Sequence, residues 1–338
     1  MQGDLVLLVV ATAVVALGSP FLLRPVLTRI GVVDTPNHRS SHDRPTLRGG
    51  GVAALAAIVI GGGLWLAVAP WSLPGSAFLL VVLIATLVAG LLGLVEDVRG
   101  IPARLRALGQ LGVGIGGAVA AVLVSGAPWW IVPVGALAIA AYINVANFMD
   151  GINGISGLHG LVAGAAFAVA GGLSSQPWLV AAGVAIAVAF VCFLPWNLLG
   201  PGMFLGDVGS YTLGAALSVA AVCGLASGLP IVTVIAPLAL YLADTGYTLA
   251  RRVLKGERWF EAHRSHVYQR LVDHGLSHLA VSALVALFSA AAAAFGLLAV
   301  QSPEWRGWAW PGLAAVVAAY FFVAHLVRRG IRQPGEKP

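Results

Sequence analysis

The sequence predicts an all-α polytopic membrane protein, and three observations carry that prediction. Of 338 residues, 59% are hydrophobic and only 9% are charged, well under the roughly 25% charged share of a soluble domain. Apolar stretches of about 20 residues recur from end to end, the length that crosses about 30 Å of hydrocarbon as a helix. The lysines and arginines collect in alternate connections between those stretches, as the positive-inside rule requires. Disordered, collagenous and disulfide-scaffold classes are excluded by the same composition. No long polar segment interrupts the pattern, so residues 1–338 read as a single membrane domain.

The apolar runs give about eleven spans, ten being the alternative count, near 4–23, 51–70, 77–95, 106–125, 129–147, 157–173, 178–196, 210–227, 230–249, 278–299 and 310–327. The first, from Leu5 to Leu23, has no basic flank before it and exceeds a signal-peptide core, so it is expected to be retained. Cys192 and Cys223 both lie inside apolar runs and read as small core side chains. Of the 19 Lys and Arg residues, only Arg306 falls on one side. The crowded side is therefore expected to be cytoplasmic, with a periplasmic N-terminus and a cytoplasmic C-terminus. The net charge of +6 is then a topology signal. Nucleic acid is not an expected partner, since no aromatic-basic platform accompanies the charge.

Acids hardly influence topology, yet Glu96, Asp97, Asp150 and Asp207 all fall at span ends on the basic side. Carboxylates at the edge of hydrocarbon mark a functional site by default. Five segments on that side carry polar chemistry. The first runs from Val33-Asp34-Thr35-Pro36-Asn37 to Arg48-Gly49-Gly50-Gly51. Glycines before a helix let backbone N–H groups approach an anion, although a flexible positive-inside loop would look the same. The second is Gly93-Leu94-Val95-Glu96-Asp97, followed by Arg99, Arg104 and Arg106. It reads equally as an acid pair for a metal or basic partner and as a solvated helix end.

In the third segment Asn144, Asn147 and Asp150 share one helical face if the helix persists, with a helix C-cap as the alternative. The fourth, Pro195 to Ser210, holds Asp207 between Gly206 and the Val208-Gly209-Ser210 that open the next span. There Asp207 suits a hard cation such as Mg²⁺, which takes one or two protein carboxylates plus phosphate and water, while Ser210 is a candidate cap. The fifth is His263-Arg264-Ser265-His266, whose donors suit phosphate. A His₂ zinc site lacks a third ligand at helical spacing. His159, His274, His278 and His325 are isolated and read as structural.

These five motifs, in this order and along essentially the whole chain, resemble the polyprenyl-phosphate N-acetylhexosamine-1-phosphate transferases of glycosyltransferase family 4. The likeness is greatest to the branch that initiates O-antigen and related surface glycans. Two departures stand out: the family usually has two adjacent aspartates where this chain has Glu96-Asp97, and His-x-x-His replaces the denser histidine run of the peptidoglycan branch.

The resemblance implies transfer of a sugar 1-phosphate from a UDP-N-acetylhexosamine to undecaprenyl phosphate, releasing UMP, at the inner bacterial membrane. It implies Mg²⁺, or Mn²⁺ in its place, held by Asp207, with Asp97, Asp150 and Glu96 as the catalytic acids. Asn144, Asn147, Arg48, Arg104, His263, Arg264 and His266 are then the expected substrate-binding residues, with membrane lipids and a second copy of the chain as further partners. Two other classes fit the composition: an ion-coupled transporter, for which only Asp244 approaches the required depth within a span, and another Mg-dependent lipid phosphotransferase.

Overall fold

The computed structural model describes residues 2–34, 45–69, 75–199, 202–257 and 264–330. Among the described residues the regular structure is helical, apart from one short ribbon. In order come α1 (Gln2–Ile30), strands β1 (Val33–Asp34) and β2 (Thr46–Leu47), α2 (Gly51–Val68), α3 (Gly75–Arg99), α4 (Ala103–Ser125), α5 (Ile131–Met149), α6 (Ile155–Leu173), α7 (Pro177–Leu198) and α8 (Gly206–Ala226). Then follow α9 (Ile231–Ile235), a 3₁₀ turn (Ala236–Leu238), α10 (Ala239–Leu254), α11 (Val267–Asp273), α12 (His278–Gln301), a second 3₁₀ turn (Pro303–Trp305) and α13 (Arg306–Gly330). Among the described residues, eleven helices are long and apolar enough to cross a membrane, with α9, the 3₁₀ turn and α10 together forming one of them.

Most expected spans are matched to within a few residues, and the differences lie at their ends. α1 continues to Ile30 through Pro20 and Pro25, because in hydrocarbon an unpaired backbone is costlier than a proline-tolerant helix. α3 carries Glu96 and Asp97 inside its last turn. α8 begins at Gly206, so Asp207 sits in the helix's first turn and not in a loop before it.

α8 is the axis. It is buried along nearly its whole length and packs against α2, α3, α4, α5 and α7. α1 and α13, by contrast, bury little and expose apolar side chains such as Phe21, Leu22 and Phe322, as lipid-facing helices do. Small residues permit the close approaches around α8: a Cβ on Gly93 of α3 would collide with the Asp207 backbone, and one on Gly51 of α2 with Gly209. Without a hydrophobic drive between helices in lipid, such small-residue contacts supply the packing.

One end of this axis is knitted by backbone. Val33 pairs with Leu47 and Asp34 with Thr46 in an antiparallel ribbon, and Leu47 also bridges Met203. Phe204 N donates to Leu47 O at 2.8 Å, while Gly50 N and Gly51 N donate to Phe204 O and Leu205 O at 2.9 and 2.8 Å. The N–H groups of Gly50 and Gly51 are therefore spent within the protein. The expected anion cradle at this helix start is not open; its glycines serve contact between two chain segments instead.

Candidate active site

The centre of the site is a shared pair of carboxylates at the tip of α8. Asp97, from the last turn of α3, reaches the first turn of α8, where its Oδ1 accepts from Asp207 N and its Oδ2 from Val208 N, both at 2.9 Å. A helix start leaves its first N–H groups unpaired, and an acid there is favoured by the helix dipole. Asp97 thus caps α8 from a different helix. The expectation that Ser210 caps this span is corrected accordingly, since the caps come from Asp97, and Ser210 lies inside α8, donating toward Asp207 O at 3.4 Å.

Gly206, at φ +75°, makes the turn possible, and a Cβ there would stand 2.6 Å from Asp97 Oδ2. Both the positive φ and the close approach require glycine.

Arg48 joins the two acids, its Nε lying 2.7 Å from Asp97 Oδ1 and its Nη2 2.7 Å from Asp207 Oδ2. Burial opposes the guanidinium charge, and the carboxylates of Asp207 and Asp97 outweigh it, holding the Arg48 pKa above its usual value. Asp97's side chain is fully buried, whereas Arg48's is about one-third exposed, so the cluster opens outward through Arg48 and Asp207. Asn147 closes the other flank, donating from Nδ2 to Asp207 Oδ1 at 2.5 Å and to Ser210 Oγ at 3.0 Å.

Asp150 stands beside this cluster but off the helix. α5 ends at Met149, and Asp150 is its C-cap residue at φ −85°, ψ 51°. The single face expected for Asn144, Asn147 and Asp150 is therefore broken: Asn147 turns to α8, Asn144 hydrogen-bonds Gln110 of α4, and Asp150 Oδ1 accepts from Ser156 Oγ at 2.7 Å. The physical reason is that α5 packs between α4 and α8, so a face three residues wide must divide between two neighbours. Burial, reinforced by the nearby Asp207 charge and opposed by the Ser156 bond, pushes the Asp150 carboxyl up to about 7.

Four expected site residues lie apart from the pair. Glu96 points to the α3–α4 corner, where Oε1 meets Arg106 Nη1 at 2.8 Å and Oε2 accepts from Ile101 N. It fastens two helices together, as adjacent residues on a helix must point about 100° apart. Arg104 is exposed at the start of α4. His266 is buried, opens α11, and sets its Nδ1 3.3 Å from Asp244 Oδ1. Arg264 pairs with Asp273 at 2.8 Å. His263 lies outside the described residues.

Asp244 is the group that sequence reasoning underrated. This fully buried carboxylate accepts from Val267 N at 2.9 Å, Tyr268 N at 3.1 Å and Tyr320 Oη at 2.8 Å. A coupling acid in a transporter needs freedom to exchange its ion; Asp244 is instead the cap of α11. The signal was present in the sequence as an acid near a span end, but the groups that cap α11 through it, and Tyr320, are 22 to 76 residues away. Asn197 is a second such residue, accepting from Gly154 N at 2.6 Å and donating to Met203 O at 3.2 Å. Of the histidines expected to be structural, His159 is bound to Tyr142 Oη at 2.8 Å and stacked on Tyr241.

Fold and site together define a polytopic helical membrane protein with a charge cluster that draws on four segments at one end of the bundle. The chain is similar to glycosyl transferase family 4, whose profile matches residues 79–225, the stretch that contains Asp97, Asn147, Asp150 and Asp207. It is 26% identical over 308 residues to a probable undecaprenyl-phosphate N-acetylglucosaminyl 1-phosphate transferase of Bacillus subtilis, covering 82% of this chain and 81% of the relative. It is 27% identical over 333 residues to a decaprenyl-phosphate N-acetylglucosaminephosphotransferase of Mycobacterium tuberculosis, covering 84% and 80%. Likeness to the undecaprenyl-phosphate alpha-N-acetylglucosaminyl 1-phosphate transferase of Salmonella typhi is 28% over 338 residues, covering 91% and 87%.

Proposed function

We propose that the protein transfers an N-acetylhexosamine 1-phosphate, with N-acetylglucosamine the first candidate, from its UDP-sugar to a polyprenyl phosphate such as undecaprenyl phosphate. A phosphate oxygen of the lipid attacks the sugar-bearing phosphorus, the bond to the nucleotide phosphate breaks, and UMP leaves with the electron pair. The observation that carries this reading is the Asp97–Arg48–Asp207 cluster, flanked by Asn147, at one end of a membrane bundle. The end of a membrane bundle is where a lipid-borne phosphate meets a water-soluble nucleotide. The names of these relatives support the same donor and acceptor classes. The 18-to-1 placement of Lys and Arg supports a cytoplasmic face of a bacterial inner membrane. The finer assignment, initiation of O-antigen or another surface glycan, rests on the order of the motifs and on His-x-x-His.

Phosphoryl transfer is mostly positioning and charge neutralisation, and Mg²⁺ or Mn²⁺ would supply neutralisation at the diphosphate. The donor set fits such an ion at Asp207. Each of its oxygens holds one protein donor, leaving acceptor capacity on both. Asp97 Oδ1 already receives two donors. Among the described residues no three His, Cys, Asp or Glu converge, which suits a cation that completes its shell with phosphate and water. Arg48 grips phosphate oxygens at the mouth, Asn147 fixes the Asp207 rotamer, and Asp150 exchanges a proton near neutral pH. Arg264, partly exposed beside Asp273, is the candidate contact for the nucleotide phosphates, whereas His266 is buried against Asp244 and supports the segment that carries it.

Purified protein supplied with undecaprenyl phosphate, Mg²⁺ and a panel of UDP-sugars tests the reading. UMP should form only when both substrates are present. Asp207→Asn should lower that rate by at least about 100-fold in a folded protein, the scale of losing a positioned charge. UMP release that needs no lipid acceptor, or wild-type turnover in Asp207→Asn, would overturn it.

A further inference from the structure

Asp150 lies just past the end of its own helix, yet four other helices, α6, α7, α11 and α12, hold the turn that carries it. We propose that Ser156 and Tyr268 are positioning residues of Asp150, Ser156 fixing its carboxylate and Tyr268 fixing its backbone. This rests on the reading of Asp150 as an essential acid.

Ser156 lies in the first turn of α6, buried, and donates from Oγ to Asp150 Oδ1 at 2.7 Å. Tyr268 of α11 is fully buried; its Oη donates to Phe148 O at 2.9 Å, and a Cβ on Gly151 would collide with that oxygen. One phenol therefore sets both shoulders of Asp150. Tyr268 is itself immobilised, since Asp244 accepts from Tyr268 N and from Val267 N. Beyond Asp150, Gly154 N is held by Asn197, and Asn153 O by Ser282 Oγ at 3.0 Å. So complete a set of restraints on a turn adjoining a charge cluster exceeds what linking α5 to α6 needs. A reacting group misplaced by about 1 Å loses roughly 100-fold in rate, which gives the restraint a purpose.

The charges facing Asp150 are Asp207, Asp97 and Arg48 on the cluster side, with the hydroxyls of Ser156, Tyr241 and Tyr268 on the buried side. Ser156 is the donor that favours the ionised carboxylate.

The test uses the full chain in detergent, reading UMP release from UDP-N-acetylglucosamine and undecaprenyl phosphate across pH, with Ser156→Ala, Tyr268→Phe and Asp150→Asn compared per folded protein. Ser156→Ala and Tyr268→Phe should each lower kcat about tenfold or more, leaving KM for the UDP-sugar within about twofold. In Ser156→Ala the acid limb of the pH profile should also move upward, because the lost donor supported the anion. If Asp150→Asn turns over like wild type, the reading of Asp150 as an acid fails and the positioning role with it. If Asp150→Asn is inactive while the other two keep wild-type kcat, with at most a lower melting temperature, the positioning inference alone fails. Should Tyr268→Phe not fold, Ser156→Ala decides, since it removes a single oxygen.

Discussion

At Asp150 the site holds a side chain whose charge depends on pH near neutrality. Its carboxyl sits at about 7 in the folded protein because burial disfavours the charge, against the ordinary value near 4 in an unfolded chain. Between those two values the folded state binds more protons than the unfolded one, so this residue's contribution to stability is full below about pH 4. It is lost progressively as pH rises toward 7. Asp150→Asn cannot ionise and should remove the loss. Melting temperatures of metal-free protein should therefore show the variant gaining on wild type between about pH 5 and 8; a constant difference would mean that Asp150 ionises normally. Glu96 teaches the complementary lesson, because its neighbour Asp97 is central while Glu96 itself is spent on Arg106 and Ile101 N. Their adjacency in the sequence could not separate those roles.

Among the elements, α8 and α11 are each started by an acid from elsewhere in the chain, Asp97 and Asp244. Asp244→Ala would strand two backbone N–H groups and the Tyr320 hydroxyl, at about 1–3 kcal/mol for each buried group left unpaired. α11 should then detach, and limited proteolysis should cut the segment between α10 and α12 faster than in wild type. Unchanged cleavage would show that α11 is held by its apolar contacts alone. The α3–α8 contact gives a second prediction at this scale. Gly93→Ala forces α8 away from α3 at the backbone of Asp207, whereas a Cβ on Gly112 of α4 meets nothing within 4 Å. Overpacking of this kind typically costs about 1–3 kcal/mol, so Gly93→Ala should lower both the melting temperature and activity, and Gly112→Ala neither. Equal behaviour of the two would refute the close packing around α8.

For the whole molecule, orientation is the governing variable, since every substrate assignment presumes which face sees the nucleotide. The Lys and Arg partition predicts that a cysteine placed at Arg99 or Arg104, both exposed at the α3–α4 corner, reacts only with reagents that enter the cytoplasm. Labelling by an impermeant reagent in intact cells would invert the arrangement. The Trp residues near Arg306 and at the start of α5, including Trp129, Trp130 and Trp308, are exposed at the opposite end of their helices, where an aromatic belt belongs.

The sequence by itself determined the spans, because a helix of about 20 apolar residues is a local property that hydropathy records directly. It also determined which side is basic and which acids stand at span ends. Asp97, Asn147, Asp150 and Asp207 were legible as candidates for the same reason, since a polar group at the edge of hydrocarbon is conspicuous wherever it lies. What those groups touch was decided only by tertiary structure. Asp97 reaches Asp207 N across 110 residues and Arg48 reaches Asp207 across 159, distances over which no periodicity carries information. The glycines of residues 49–51 were visible as glycines, but whether their N–H groups meet a phosphate or the carbonyls of Phe204 and Leu205 depends on what packs against them. Asp244 shows the same division: hydropathy marks a buried charge, and only the fold supplies the donors that make its burial tolerable.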